Sequence, residues 1–345
     1  MQKRVFFSCF NLYKGGSLAL YHRFCKHICS STYIKALVAD SMKCYPFKSL
    51  NVPSICYPLS YMNFIYRLLV EQLYVPVLAL IFKSDHLVMM GNFPCFLWLS
   101  SQSVYFHNIL YLDSRSSCGN LFFWIERNLF RFLIKSKQPK VFVQSSLVKS
   151  HFRASFPCAR HVEVIGMPSL PHSASLVPRE IMSDSLTLFF PSYPYPHKNH
   201  KILFNIYEYL REQSIVVYIT AFERQFPRNI NNHNILDVFK FLGPISLQET
   251  FNLYHQCDAL IYPSLDESLG IPLIEASELS LPIIAPSLAY VDAAVENYYS
   301  YSPTDHRSLL VALEALKADL SIQKPRLPLS LLSISPSSFV AQLCQ

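Results

Sequence analysis

One stretch in the second half of the chain, Tyr262 to Pro286, restricts the fold more than any other. An apolar run that ends at Ile261 comes before it, and a turn-rich segment, a run with helical spacing and a second apolar run follow. Pro272 stands where a helix would begin, a position at which the missing N–H of proline costs nothing. The order of strand, loop, helix and strand predicts a βαβ unit with two parallel strands.

Two carboxylates, those of Glu267 and Glu275, flank the start of the predicted helix. A helix N-terminus attracts phosphate through its free N–H groups and the positive end of its dipole. Carboxylates at such a place are suited to accept hydrogen bonds from the hydroxyl groups of a sugar or ribose, rather than to hold phosphate. The pair therefore predicts a nucleotide-sugar pocket at the carboxyl end of a parallel sheet. A pair of glutamates without further context would equally fit the solvated start of an ordinary helix.

The whole pattern of this stretch resembles the Glu-x7-Glu motif of retaining glycosyltransferases of family 4, which have the GT-B fold. The residues that carry the resemblance are Pro263, Ser264, Glu267, Ser268, Gly270, Pro272, Glu275 and Ala276. It extends well over residues 186–320, and over the first half only at residues 11–17, 91–94 and 107–108. The implied architecture is α/β, with two Rossmann-like domains facing each other across a cleft. The implied domains are an acceptor-side domain at 1–170, a nucleotide-sugar-binding domain at 171–324, and a segment at 325–345 that crosses back to the first.

The resemblance also implies roles for residues of the second domain. Glu267 would bind hydroxyls of the donor sugar, and Glu275 would bind the ribose. Lys198 would hold the donor diphosphate, which suits a compact cation beside a helix start. Many family members have an arginine a few residues earlier, where this sequence has Tyr193, so diphosphate binding would rest on Lys198 and backbone amides. The complete implied donor-binding set is Gly15, Gly16, Lys198, Asn199, Gly243, Glu267, Ser268, Leu269, Gly270 and Glu275.

Two further candidates lie in the first half of the chain. A loop from Asn11 to Ser17, which contains Gly15 and Gly16, joins a predicted strand to a predicted helix at Leu18 to Ile28. It resembles the Gly-Gly loop that family members place near the donor phosphates, although a simple turn explains it as well. His107 follows a predicted strand at residues 103–106 and is the third candidate catalytic residue beside Glu267 and Lys198. The alternative for His107 is a purely structural histidine.

The sequence offers no sign of a metal-bridged diphosphate, because it contains no D-x-D triplet. We therefore expect activity without a divalent metal and without a cofactor, on a UDP- or GDP-sugar donor. Hydrolases that retain configuration use a carboxylate nucleophile beside the anomeric carbon, and no separate candidate for one is visible. The family resemblance implies front-face attack instead, in which the leaving phosphate helps to deprotonate the acceptor.

Charge is distributed unequally along the chain. Residues 1–170 contain 19 Lys and Arg against 6 Asp and Glu, a net charge of +13, whereas residues 171–345 contain 11 against 17, a net charge of −6. The first half should be drawn to an anionic surface, and a membrane with acidic lipids fits this. We expect no nucleic-acid partner, because no recognisable nucleic-acid-binding motif occurs.

The predicted helix at residues 121–136 has a stripe of cations, Arg127, Arg131 and Lys135, spaced four apart, and many aromatic residues elsewhere. This composition fits a helix lying at a membrane surface. It fits equally a Rossmann helix with one solvated face.

These observations together predict a metal-independent hexosyltransferase. It would transfer a sugar from a nucleotide sugar to a glycan acceptor, held on a lipid, in the synthesis of a bacterial surface polysaccharide such as O-antigen. Ten cysteines without a paired framework predict a reduced, cytoplasmic protein, placed on the inner face of the cytoplasmic membrane. The alternatives are an epimerase or hydrolase of nucleotide sugars with the same fold, and a non-catalytic partner in a polysaccharide assembly complex.

Overall fold

The computed structural model describes residues 3–12, 15–29, 33–37, 64–98, 100–112, 121–170, 185–226 and 235–345. The prolines and serines of residues 168–184 predict a linker, of which residues 171–184 lie outside the described residues. The chain separates into two compact units. The first consists of Met1–Ser169 and Ser333–Gln345, and the second of Leu170–Leu332. Each unit contains one six-stranded sheet.

The first unit is a parallel sheet with helical connections between its strands. Its elements are β1 (Val5–Ser8), α1 (Gly15–Cys29), β2 (Ile34–Leu37), α2 (Phe64–Leu69), a π-helical segment (Val70–Tyr74), α3 (Val75–Ile81), β3 (His86–Met89), β4 (Ser101–Phe106), α4 (Leu121–Lys137), β5 (Lys140–Val143), α5 (Ser146–Ser155), β6 (Val162–Val164) and β7 (Met167–Pro168). The strand order is β2-β1-β3-β4-β5-β6, and all pairs are parallel. Crossovers between parallel strands are right-handed, so α2, α3 and α4 lie on the same face of this sheet.

The second unit repeats this architecture. Its elements are β8 (Thr187–Phe190), a 3₁₀ turn (Pro196–Lys198), α6 (His200–Phe204), α7 (Tyr207–Glu212), β9 (Val216–Ile219), β10 (Phe239–Phe241), α8 (Leu247–Gln256), β11 (Ala259–Ile261), α9 (Ile271–Glu278), β12 (Ile283–Pro286), α10 (Ala289–Ala294), β13 (Val295–Glu296), β14 (Tyr299–Tyr301), α11 (His306–Ser321) and β15 (Leu329–Ser330). The order is β10-β9-β8-β11-β12-β14, again parallel throughout. Because β11 pairs with β12 through Leu260 and Ile283, the predicted βαβ unit is present.

The last residues of the chain belong to the first unit. Strand β16 (Ser333–Ile334) pairs in parallel with β7, and α12 (Pro336–Leu343) follows it. Phe339 of α12 is fully buried between Phe24 of α1 and Tyr105 of β4, with both ring centroids 5.3 Å away. The predicted crossing segment began at residue 325, whereas the residues placed in the first unit begin at Ser333.

Three local predictions need correction. Helix α1 begins at Gly15, so the two glycines lie in its first turn and not in the preceding loop. Glu275 is the fifth residue of α9 and therefore lies in the second helical turn rather than the first. The helical spacing of residues 61–80 predicts an interruption at Pro76, which does not occur because this proline lies in the first turn of α3, where its missing N–H is tolerated.

The predicted basic stripe of α4 is not the exposed face of that helix. Arg127 and Arg131 are half-buried, and the guanidinium of Arg131 lies 5.7 Å from the ring centroid of Phe156. The long cationic side chains cover the aromatic core of the unit with their stems. Lys135 is the exposed member of the stripe, and the other exposed residues of α4 include Trp124, Ile125, Asn128 and Phe132. Among the described residues, no helix is long and apolar enough to cross a bilayer.

Candidate active site

The centre of the candidate site is an ion pair between Lys198 and Glu267, 69 residues apart in the chain. Lys198 ends the 3₁₀ turn after β8, and Glu267 lies in the loop after β11. These two strands are hydrogen-bonded neighbours in the sheet, so their carboxyl ends bring the two loops together. Both side chains are mostly buried, with 13% and 16% of their surface exposed.

Two hydroxyl groups complete the surroundings of Glu267. Its Oε1 accepts hydrogen bonds from Tyr262 (2.9 Å) and Ser264 (2.7 Å) in addition to Lys198. The Lys198 ammonium also donates to the Tyr262 hydroxyl at 2.9 Å. Burial, followed by the negative charge of Glu267, raises the pKa of Tyr262 well above its ordinary value, so this phenol stays a neutral donor. All three donors meet Oε1, and among the described residues no hydrogen bond to Oε2 is present.

The loop that carries Glu267 is tied down on both sides. The Leu265 N–H donates to the carbonyl of His197 at 2.7 Å, and the Ser264 hydroxyl oxygen lies 3.2 Å from the same carbonyl. The hydroxyl of Tyr290, which is on α10, donates to the Ser264 carbonyl at 2.7 Å. These contacts fix the two loops to each other before any ligand binds. Sequence reasoning missed Tyr262, Ser264 and Tyr290, although a tyrosine directly after a buried strand was a visible signal for the first.

Glycine 270 allows the chain to turn from this loop into α9. Its φ is +66°, in the left-handed region, and a Cβ there would lie 2.8 Å from a methyl of Leu273. Five residues further on, Glu275 is buried, and its Oε2 accepts from the Tyr254 hydroxyl of α8 at 2.9 Å. The structure therefore places the second predicted carboxylate inside the unit, beneath the start of the helix.

The remaining predicted donor-binding residues of the second unit fall into two groups. Asn199, with φ of 53°, precedes α6 directly after Lys198, while Ser268 and Leu269 lie between Glu267 and Gly270. Gly243 lies elsewhere, after β10, where its φ of +69° and the closely packed ring of Phe222 both require glycine. The loops after β8, β10 and β11 all emerge at the carboxyl edge of one parallel sheet.

In the first unit, His107 follows β4, and Asn92 follows the neighbouring strand β3. The Asn92 side-chain oxygen accepts from the backbone N–H groups of His107 (2.8 Å) and Asn108 (3.1 Å). Burial lowers the pKa of His107 to about 4, and the Tyr105 backbone offsets only part of this shift. His107 is therefore neutral at physiological pH. Gly15 and Gly16 open α1 after β1 of the same sheet.

A buried carboxylate that sequence reasoning missed lies at the same edge. Glu71, in the π-helical segment, is 1% exposed, and its carboxylate accepts from the side-chain amide of Asn11, which follows β1. A Cβ at Gly91 would overlap both groups, so this position requires glycine. π-helical turns occur frequently at functional sites, and a single Glu in an apolar helix was the available signal. Among the described residues, no three His, Cys, Asp or Glu side chains are grouped as a metal site.

Comparisons with known proteins define the class. Residues 178–319 match the family model of glycosyl transferases group 1, and this match lies within the second unit. Solved glycosyltransferases with the GT-B fold align with nearly the whole chain, which shows that the chain has that fold. The predicted α/β GT-B class and the resemblance to this group are thereby confirmed.

Particular relatives are more distant. The O-antigen chain mannosyltransferase RfbU of Salmonella typhimurium is 28% identical over 127 residues, which is 36% of this chain and 36% of that protein. The match thus spans about a third of that relative. Anabaena Alr3699/HepE in complex with UDP-glucose aligns at 16% identity, with a TM-score of 0.70 over 99% of this chain and 94% of its own. WaaG, a glycosyltransferase involved in lipopolysaccharide biosynthesis, aligns at 11% identity, with a TM-score of 0.65 over 90% of each chain.

Proposed function

We propose that this chain is a glycosyltransferase that moves a hexose, with retention of configuration, from a UDP- or GDP-sugar to a glycan acceptor. It works without a divalent metal in the synthesis of a surface polysaccharide. The observation that carries the proposal is the Lys198–Glu267 pair at the carboxyl ends of β8 and β11, inside a group 1 domain. The relatives named above act in O-antigen or lipopolysaccharide synthesis or hold UDP-glucose. They favour transfer over epimerisation, hydrolysis or a non-catalytic role.

Lys198 is suited to stabilise the departing diphosphate. An ammonium group has three donors, and Lys198 uses two of them on Tyr262 and Glu267. The third is available for a phosphate oxygen. Because the lysine is already held in place, it would reorganise little as negative charge develops on the leaving group, which is the condition for effective electrostatic catalysis.

Glu267 is suited to hold the donor sugar through Oε2. In the proposed front-face reaction, the bond from the anomeric carbon to the diphosphate breaks, and the acceptor oxygen bonds to the same face. The acceptor proton passes to the departing phosphate oxygen. The sugar ring carries positive charge at the transition state, so a nearby carboxylate is favourable. A cytoplasmic location at the inner face of the membrane would give this site access to both nucleotide sugars and lipid-linked acceptors.

The test is release of nucleotide from a panel of UDP-, GDP- and dTDP-sugars, with EDTA present and no acceptor added. We expect slow hydrolysis of one donor, which would identify the sugar. If all donors stay intact and calorimetry detects no binding of UDP, GDP or dTDP, the proposal is wrong. If EDTA abolishes hydrolysis and added magnesium restores it, the metal-independent part is wrong.

Replacing Glu275 by alanine should weaken nucleotide binding by about 10- to 100-fold, the range for a hydrogen bond to a charged group. The reason is loss of the carboxylate proposed to hold the ribose. Tyr254→Phe is the matched control, because it removes the 2.9 Å contact to Glu275 and keeps the carboxylate. Calorimetry with the diphosphate of the working donor measures both. Equal loss in the two variants would mean that Glu275 acts only through packing.

The first unit has an apolar surface that fits an acceptor held at a membrane. We define this apolar face as the exposed residues Leu69, Leu73, Val77, Leu80, Ile81, Phe96, Leu97, Trp124 and Phe132. Its residues come from α2, the π-helical segment, α3, α4 and the chain between β3 and β4, and the ring centroids of Phe96 and Phe132 are 6.1 Å apart. The Gln72 side chain donates to the Pro94 carbonyl and accepts from the Phe96 N–H. It thereby holds the chain between β3 and β4 against the π-helical segment.

The π-helical segment helps to align this face. An α-helix turns 100° per residue, so side chains four residues apart drift by about 40°. The wider π turn at Val70–Tyr74 reduces this drift between Leu69 and Val77. Cations accompany the apolar residues, since the Lys137 ammonium lies 4.6 Å from the Phe96 ring centroid. Helices that lie at a membrane interface usually insert apolar side chains into the lipid and place cations at the lipid headgroups.

We expect the triple variant Leu73→Asp, Val77→Asp, Ile81→Asp to bind liposomes of phosphatidylglycerol and phosphatidylcholine at least about tenfold more weakly than the wild type. Val311→Asp is the control, because Val311 is 70% exposed on the second unit and is not part of the apolar face. Liposome flotation at increasing salt concentration measures the electrostatic contribution to binding, which screening by salt should reduce. Unchanged binding by the triple variant would show that the apolar face does not contact lipid.

A further inference from the structure

Asn92 is held in an unusual way at the carboxyl edge of the first sheet. It is buried, directly follows Gly91, and has φ of 74°, in the left-handed region that few non-glycine residues adopt. Its side-chain oxygen accepts two backbone N–H groups, from His107 and Asn108. Both N–H groups need an acceptor, so the oxygen of the Asn92 amide, and not its NH₂ group, must face the end of β4.

The fixed amide determines the chemistry at His107. The NH₂ group of Asn92 lies 3.4 Å from Nε2 of the His107 ring. An amide NH₂ only donates, so Nε2 must present its lone pair. In a neutral imidazole the hydrogen is then on Nδ1, because the partner of one ring nitrogen sets the protonation of the other. A second hydrogen on Nε2 would place two donors against each other.

We propose that Asn92 is a positioning residue that keeps the His107 imidazole neutral, with its hydrogen on Nδ1. The tautomer of His107 does not depend on the proposed function, but its effect on sugar transfer rests on that function. His107 is the histidine expected near the donor sugar, and that sugar becomes positively charged during transfer. An imidazolium beside it would oppose the charge that develops, whereas a neutral imidazole brings no such penalty.

The other groups around His107 agree with a neutral ring. The ring of Tyr105 on β4 lies nearby, tilted by 31° with ring centroids 6.2 Å apart, and its phenol donates to the Gly166 carbonyl at 3.0 Å. Burial raises the pKa of Tyr105, so it brings no charge. Phe339 of α12 covers the other side of Tyr105. Glu71 lies against Gly91, and among the described residues no charged side chain contributes to the lowered pKa of His107.

Two substitutions separate the amide donor from the backbone geometry. Asn92→Asp keeps an oxygen for the two backbone N–H groups and tolerates a positive φ, but it turns the second atom from a donor into an acceptor beside Nε2. A neighbouring carboxylate favours the imidazolium, so His107 should titrate. Asn92→Gly also accepts the positive φ and removes both interactions, so the ring should lose its fixed tautomer.

The measurement is long-range ¹H–¹⁵N NMR of histidine-labelled protein between about pH 6 and 8, with His107→Gln to assign the signals. In the wild type we expect one neutral form with hydrogen on Nδ1 and no titration. In Asn92→Asp we expect hydrogen on Nε2 and protonation toward the acidic end. Asn92→Gly should show a mixture of both neutral forms.

A wild-type ring with its hydrogen on Nε2 would overturn the proposal, as would an Asn92→Asp ring that keeps the wild-type pattern. The wild-type spectrum decides even if a variant does not fold. Hydrolysis of the working donor gives the second readout. Asn92→Asp should lose rate as pH falls, in step with its NMR titration, while the wild type stays flat. The tautomer is measured without substrate, so its result stands apart from success or failure of the proposed activity.

Discussion

Replacing Lys198 by alanine is expected to lower the turnover of the working donor by about 10²- to 10³-fold, the loss typical when one fixed donor to a developing charge is removed. Lys198 lies where the chain of β8 enters α6, and its ammonium is held by Tyr262 and Glu267. Lys198 is the charged side chain that we propose to contact the departing diphosphate, and alanine removes this contact. The Michaelis constant for the donor should change less, because the contact strengthens mainly as the bond breaks.

Three controls make this result specific. Lys201→Ala removes an exposed lysine three residues away and changes the net charge equally, so it should leave turnover unchanged. Lys198→Arg keeps the charge but replaces a point cation with a planar fork, and we expect it to restore only part of the rate. Thermal unfolding monitors folding, because breaking a mostly buried ion pair is itself destabilising. A folded Lys198→Ala protein within threefold of the wild-type rate would remove Lys198 from the site.

Much of the second unit could be predicted because its signals are local. Strand, glycine turn, proline and helix from Ala259 to Pro286 follow one another within a short stretch, and each is specified by neighbouring residues. The structure agrees with that order to within a few residues. Lys198 could be chosen because it precedes a helix. Its contact with Glu267 could not, because β8 and β11 are adjacent in the sheet only after β9 and β10 are placed on the far side of β8.

In the first unit, helical spacing alone did not predict which side chains of α4 are exposed. The cations of α4 have the spacing of a solvated stripe, yet Arg131 lies over Phe156 because long side chains can bury their stems. Trp124 and Phe132 are exposed on the same helix, which no periodicity of charges predicts. Similarly, Asn92 was visible in the sequence only as part of residues 91–94, to which the resemblance extends. Its role arises from hydrogen bonds to a strand end fifteen residues away, and such pairings depend on register between strands.

The substitution Glu267→Gln should lower donor turnover by about 10- to 100-fold and should lower the free energy of unfolding less than Glu267→Ala does. The reason lies in how its two oxygens are used. Oε1 accepts from Lys198, Tyr262 and Ser264, and a glutamine oxygen in that place can still accept from all three. The amide nitrogen would replace Oε2, the atom we propose for the sugar hydroxyls, and would donate where acceptance is needed.

Glu267→Ala provides the contrast, because it removes the acceptor from a mostly buried lysine and two hydroxyls. It should lose both turnover and stability, the latter by about 3–5 kcal/mol if the ammonium stays buried without a partner. Asp266→Asn, at the exposed neighbouring carboxylate, is the control for a change of net charge in the same loop. Nucleotide release and thermal unfolding are measured on all three. Loss of stability without loss of turnover in Glu267→Gln would show that Glu267 organises the loops and does not hold the sugar.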